Sequence, residues 1–216
     1  LGCRLVPFYG SMESGWISGC YYDDPLEIRS HTVGKTASKR EYKLLDEKGV
    51  SVPQGEVGEL FVRGGSGNMG YYKEPELTRT IWDSEGWYNT KDLASIDEDG
   101  NIRLMGRASD MINRGGQNIY PIEIENILRT HPKVAEICIV PMTDALLGSM
   151  ACACVEPKAG VTFTFDEMIA RLEKEKMAKY KRPERLEILD RMPRLTTGKI
   201  DKVKLVDDIR KKSTAE

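Results

Sequence analysis

Histidine is scarce in this 216-residue chain: only His31 and His131 occur, far apart in sequence. With no Cys-x-x-Cys pair either, a zinc site of ordinary ligand spacing is excluded. A surplus of one charge sign is also missing. Lys and Arg number 32 against 34 Asp and Glu, interspersed, for a formal charge of −2, so no global field recruits nucleic acid or an anionic membrane. No apolar run approaches the ~20 residues of a bilayer span; the longest are strand-sized, such as Ile137-Cys138-Ile139-Val140. The chain opens at Leu1 within an apolar stretch, Leu5-Val6-Pro7-Phe8-Tyr9, without initiator methionine or targeting segment. The expectation is a fragment of a soluble, cytoplasmic protein.

What is present suits one or two globular domains: 40% of residues are hydrophobic and 31% charged, enough to bury a core. Five cysteines are an odd number, and Cys152 and Cys154 sit two apart, on one face of a strand. They are expected to be core thiols in a reducing compartment. From Arg40 to Arg107, short β-prone runs such as Gly58–Arg63 alternate with turns such as Asp97-Glu98-Asp99-Gly100-Asn101, which predicts antiparallel sheet. One short helix is predicted over Glu74–Ile81, with Pro75 in its first turn. After Arg107, Ile124, Ile127 and Leu128 fall at helical spacing behind Pro121, predicting a helix over 121–129. Strands are expected over Val134–Val140, Met150–Val155 and Arg185–Leu189. Helices are expected over Asp166–Lys179, with Phe165, Ile169 and Leu172 on the buried side, and over Lys202–Lys211. Interleaved strands and helices make this half an α+β or α/β unit, with the boundary near Asp110.

Pro193-Arg194-Leu195-Thr196-Thr197-Gly198-Lys199-Ile200-Asp201-Lys202 places a lysine on a polar turn, where a flexible ammonium can reach a carboxylate or phosphate. A solvated turn lysine is the plain alternative. A Walker A loop is excluded, because Pro193 stands where its first glycine belongs and Ile200 where it needs Ser or Thr. Three further segments accompany the lysine: Tyr9-Gly10-Ser11-Met12-Glu13, Tyr88-Asn89-Thr90-Lys91-Asp92, and Gly106-Arg107-Ala108-Ser109-Asp110-Met111-Ile112-Asn113-Arg114-Gly115-Gly116. In this order they resemble the adenylate-forming superfamily of acyl-CoA synthetases, aryl-acid–AMP ligases and peptide-synthetase adenylation domains, and the resemblance covers almost the whole chain.

The resemblance implies an α+β protein. Residues 1–109 would be the β-rich end of a large N-terminal domain and 110–216 a small mobile C-terminal domain. It implies an ATP-dependent carboxylic acid–CoA ligase that forms an acyl-adenylate and then a thioester, with ATP, Mg2+ and CoA. Lys199 matches the adenylation lysine and Glu13 the acid that helps hold Mg2+. Tyr9 and Gly10 match residues lining the adenine site, and Ser11 a phosphate-contacting hydroxyl. Asp92 matches the acid that accepts the ribose hydroxyls, with Arg107 beside it. Asp110 matches the hinge, and Gly115 and Gly116 lie where backbone passes the pantetheine arm. Taken singly, Glu13 and Asp92 also read as loop acids, Arg107 as a surface partner and the paired glycines as a hairpin turn.

Several positions depart from the family pattern. Ser11 stands where threonine is usual, and Lys91 where glycine is usual, which bears on that turn. Asn113 stands where many members carry lysine, and resembles the aryl-acid branch, pointing to aromatic or alicyclic acids. Arg63-Gly64-Gly65-Ser66-Gly67-Asn68-Met69-Gly70-Tyr71-Tyr72 looks like a phosphate cradle, yet in the resembled family it is a connecting loop, so no nucleotide role is assigned. No Ser/Thr/Gly-rich loop ending in Pro-Lys-Gly precedes Tyr9, so the chain alone is expected to be inactive. Two rivals stand beside the CoA ligase: an aryl-acid–AMP ligase loading a carrier-protein phosphopantetheine, and a non-catalytic partner-binding module.

Overall fold

The computed structural model describes residues 2–65 and 67–215. The chain divides into two compact units, Leu1–Ser109 and Asp110–Glu216. Both combine sheet with a few helices, so the class is α+β.

The first unit opens with a three-stranded sheet, β1 (Phe8–Ser11), β2 (Gly15–Gly19) and β3 (Lys35–Thr36), with α1 (Leu26–His31) before β3. The register of β1 against β2 slips between Tyr9 and Gly10. A Cβ at Gly10 would lie 2.3 Å from the Gly15 carbonyl oxygen, so only glycine admits this approach. The second sheet is antiparallel: β4 (Arg40–Leu45), β5 (Gly58–Gly64), β6 (Tyr88–Ile96) and β7 (Ile102–Arg107), with α2 (Pro75–Ile81) between β5 and β6. Its inward residues Leu44, Leu60, Val62, Ala94, Ile96 and Ile102 pack with Ile17 of β2 as the core. On β6, Asn89 faces Phe61 while Leu93 faces Glu59. Thr90, Lys91 and Asp92 therefore bulge opposite Leu60, and Lys91 takes the left-handed φ of +61°.

In the second unit a 3₁₀ turn at Ala108–Asp110 leads into the hairpin β8 (Ile112–Arg114) and β9 (Gln117–Ile119), then α3 (Pro121–Arg129). The long hairpin β10 (Val134–Asp144) and β11 (Gly148–Pro157) follows, then α4 (Phe165–Lys174), β12 (Arg185–Ile188) and α5 (Lys202–Ala215). The five strands form one sheet, with β12 parallel to β11. The period of two sends Ile137, Ile139, Ala151, Ala153 and Val155 to one face, under α3 and α4. Cys138, Val140, Cys152 and Cys154 take the other face, with Met192, Leu205 and Ile209. Glu125 of α3 is 8% exposed, and its carboxylate accepts the Ile139 amide at 2.9 Å.

Three expectations need correction. Helix α4 ends at Lys174 rather than Lys179, because Lys176 adopts φ +57° and the Met177 amide turns back to the Leu172 carbonyl at 3.0 Å, a Schellman closure with lysine in the glycine position. Its buried side is Met168 and Leu172 with Ile169, while Phe165 is 40% exposed. Finally, Cys3 is exposed; the core thiols are Cys20, Cys138, Cys152 and Cys154.

Candidate active site

Strands β1, β6 and β7 converge on one carboxylate. The bulge in β6 turns Asp92 toward Arg107, its register partner on β7, and Arg107 Nε lies 3.1 Å from Asp92 Oδ1. A second Arg107 nitrogen donates to the Thr90 carbonyl at 3.0 Å. The other carboxylate oxygen, Oδ2, accepts the Tyr9 hydroxyl of β1. Burial, and then that hydrogen bond, raise the Tyr9 pKa, so the phenol stays protonated and donating. Thr90 steadies the bulge: its hydroxyl donates to the Leu60 carbonyl at 2.8 Å and accepts the Asp92 amide at 3.1 Å.

The turn from β1 to β2 carries Ser11 and Glu13. Ser11 Oγ accepts the Ser14 amide at 3.1 Å and donates to the Tyr88 hydroxyl at 3.2 Å. Glu13 Oε1 accepts the Tyr71 hydroxyl at 3.0 Å. The Glu13 amide, and then the Tyr71 hydroxyl, hold this carboxyl below its ordinary range against the opposing effect of burial, so it is ionised at neutral pH. No group of three or more His, Cys, Asp or Glu converges among the described residues. A lone ionised carboxylate fits a magnesium ion held mainly through substrate phosphates.

The remaining candidates lie in the second unit. Lys199 sits in a tight loop closed by the Leu195 amide on the Lys199 carbonyl at 2.8 Å and the Asp201 amide on the Pro193 carbonyl at 2.9 Å. Arg194 braces it by donating to the Gly198 carbonyl at 2.6 Å and pairing with Glu136. The Lys199 side chain is exposed. Asp110 pairs with Lys202, at the start of α5, at 2.5 Å. Burial disfavours the charged Lys202 ammonium, but the Asp110 hydrogen bond and charge outweigh it and raise its pKa. Gly115 and Gly116, at φ +56° and +87°, form the β8–β9 turn. Asn113 Oδ1 accepts the Gly116 amide at 2.8 Å, and the Leu147 carbonyl accepts the Gly115 amide at 2.9 Å.

Two family models match the chain: AMP-binding enzyme over residues 1–72 and AMP-binding enzyme C-terminal domain over residues 123–199. This chain belongs to the adenylate-forming superfamily. Among adenylate-forming relatives, it is 41% identical over 216 residues to the medium-chain fatty-acid–CoA ligase of Escherichia coli strain K12, covering all of this chain and 38% of that protein. It is 37% identical over 206 residues to enterobactin synthase component E of the same organism, covering 95% of this chain and 38% of that one. Among solved adenylate-forming structures, ATP-bound MatB from Rhodopseudomonas palustris superposes with a TM-score of 0.85 at 29% identity, over 97% of this chain and 41% of that one. The chain thus spans about two fifths of the length of these relatives. Tyr71, Tyr88 and Thr90, which carry no role in the motif reading, prove to brace its site residues; Tyr88 and Thr90 lie inside the Asp92 motif itself and Tyr71 inside the glycine-rich stretch over residues 63–72.

Proposed function

We propose that the full-length protein containing this chain is an ATP-dependent carboxylic acid–CoA ligase, the chain supplying the rear of the nucleotide site and a mobile thioester-forming domain. The observation that carries this reading is the Asp92 carboxylate, held by Arg107 on one oxygen and by the Tyr9 hydroxyl on the other. Such a carboxylate suits a ribose diol: the vicinal hydroxyls donate to it, one taking the place of the Tyr9 hydroxyl on Oδ2. Tyr9 and Gly10 then border the adenine, and Ser11 faces the phosphates. A Mg2+ ion, when bound, would be held by Glu13 and would neutralise charge on the phosphate oxygens.

In the first step an oxygen of the substrate carboxylate attacks the α-phosphorus of ATP, and the bond to pyrophosphate breaks. Negative charge concentrates on the transferring oxygens, where the Lys199 ammonium stabilises it. In the second step the CoA sulfur attacks the acyl carbon, the bond to AMP breaks, and the Gly115-Gly116 turn leaves room for the pantetheine. Rotation about Asp110 exchanges the two loops. Four buried free cysteines support a reducing, cytoplasmic setting, and no helix among the described residues is long and apolar enough to cross a membrane.

A second reading is favoured by the similarity to enterobactin synthase component E and by Asn113: an aryl-acid–AMP ligase that loads a carrier-protein phosphopantetheine. One experiment tests both. The full-length protein is assayed for acid-dependent ATP–pyrophosphate exchange, then offered CoA or a phosphopantetheinylated carrier. Exchange followed by acyl-CoA is expected; transfer only to the carrier selects the second reading, and no exchange with any aliphatic or aromatic acid defeats both.

A further inference from the structure

The glycine-rich stretch over residues 63–72 resembles a phosphate cradle and has no place in the proposed chemistry; Ser66 within it lies outside the described residues. Instead it packs on the turn that carries Glu13. The Asn68 amide donates to the Glu13 carbonyl at 2.7 Å, and the Asn68 side chain donates to the Met12 carbonyl at 2.5 Å. Three residues on, the Tyr71 hydroxyl reaches Glu13 Oε1 at 3.0 Å.

Tyr71 is fixed at every level. Its amide donates to the Thr78 hydroxyl of α2 at 2.9 Å. Its ring meets Trp82 edge-on, with centroids 5.8 Å apart and planes at 71°. Gly70 before it has φ +128°, and a Cβ there would lie 2.6 Å from the Thr78 methyl, so the chain can enter this pocket only as glycine. Trp82 also contacts Tyr88 at 5.1 Å, whose hydroxyl receives Ser11. One row of three aromatic rings therefore presents two hydroxyls to the same turn, one to Ser11 and one to Glu13.

We infer that Tyr71 is a positioning residue for the Glu13 carboxylate. Its hydroxyl takes one lone pair of Oε1 and, with the Glu13 amide, orients the carboxylate, while the remaining lone pairs stay available to a cation. This rests on the proposed role of Glu13, and the test separates the two.

The full-length protein, Tyr71→Phe and Glu13→Gln are titrated with Mn2+ in the presence of α,β-methylene-ATP, following free Mn2+ by electron paramagnetic resonance, alongside thermal melts. Tyr71→Phe keeps the ring and its packing. Its Mn2+ affinity should fall about 10-fold, the usual effect of deleting a hydrogen bond to a charged group, with a melting temperature close to that of the parent. Glu13→Gln should lose more. Parent-like Mn2+ affinity in Tyr71→Phe, with or without a lowered melting temperature, overturns the inference while Glu13→Gln still shows a defect. Parent-like affinity in Glu13→Gln overturns the assignment of Glu13 itself, and the inference with it.

Discussion

Replacing Lys91 by glycine should stabilise the first unit, although it removes a side chain. Lys91 occupies the β6 bulge at φ +61°, where any residue with a Cβ is strained by about 1–2 kcal/mol. Glycine releases that strain but adds about 0.4–1 kcal/mol of freedom to the unfolded chain. The lost ion pair with Glu59 spans 3.8 Å with the lysine half exposed, and contributes under about 0.5 kcal/mol. At the middle of these ranges the net gain is about 0.5 kcal/mol, or a melting temperature higher by about 2–4 °C for a unit of this size. The bonds that shape the bulge, from the Lys91 amide to Asn89 Oδ1 and from the Asp92 amide to Thr90, involve no Lys91 side-chain atom and survive. Lys91→Ala is the control, because its Cβ keeps the strain. Urea unfolding and calorimetry of parent, glycine and alanine forms supply the comparison. A glycine form no more stable than the alanine form would refute the strain argument.

Lys199→Ala in the full-length protein should lower adenylation by about 10²–10³, spare thioester formation from supplied acyl-adenylate, and leave the melt unchanged, since the side chain is exposed; matched losses in both half-reactions would contradict it. Glu125→Ala strands the buried Ile139 amide and should cost about 2–3 kcal/mol in urea unfolding, whereas Glu125→Gln retains an acceptor and most of the stability. A loss below about 0.5 kcal/mol in the alanine form would mean that water replaces the carboxylate. Acid should unfold the second unit partly through Glu187. Burial raises its pKa, but hydrogen bonds from Lys212 and Arg185 outweigh that and set it below the ordinary value. The folded state therefore favours the ionised form, so the contribution is full above the ordinary carboxylate range and fades as pH falls through the lowered folded pKa, below about pH 4. Melts from pH 7 to pH 3 should show a flatter acid limb in Glu187→Gln, and parallel limbs would count against it.

What the sequence revealed divides along physical lines. Strands β10 and β11 were legible because both faces of their sheet are buried, leaving compact apolar runs, and α3 because Pro121 marks its start and Ile124 and Leu128 its buried stripe. Helix α1 was not, since it buries none of its residues and has no periodicity to read. The end of α4 was hidden because a lysine at positive φ does the work of glycine. At the site, residue types announced themselves through short motifs, while their meetings did not. Tyr9 finds Asp92 across 83 positions through sheet register and a bulge, and Tyr71 finds Glu13 across 58 through a loop that Asn68 ties to the β1–β2 turn, contacts that no local pattern encodes.

The cysteines provide native reporters of which part of the chain opens. A maleimide pulse should modify Cys3 at once, since it is exposed. Cys20 is buried in the first unit, while Cys138, Cys152 and Cys154 are buried under α5 in the second. Peptide mass mapping after timed pulses would therefore register the two units on separate clocks, with neither a fluorophore nor an engineered residue, because each unit guards its own thiols.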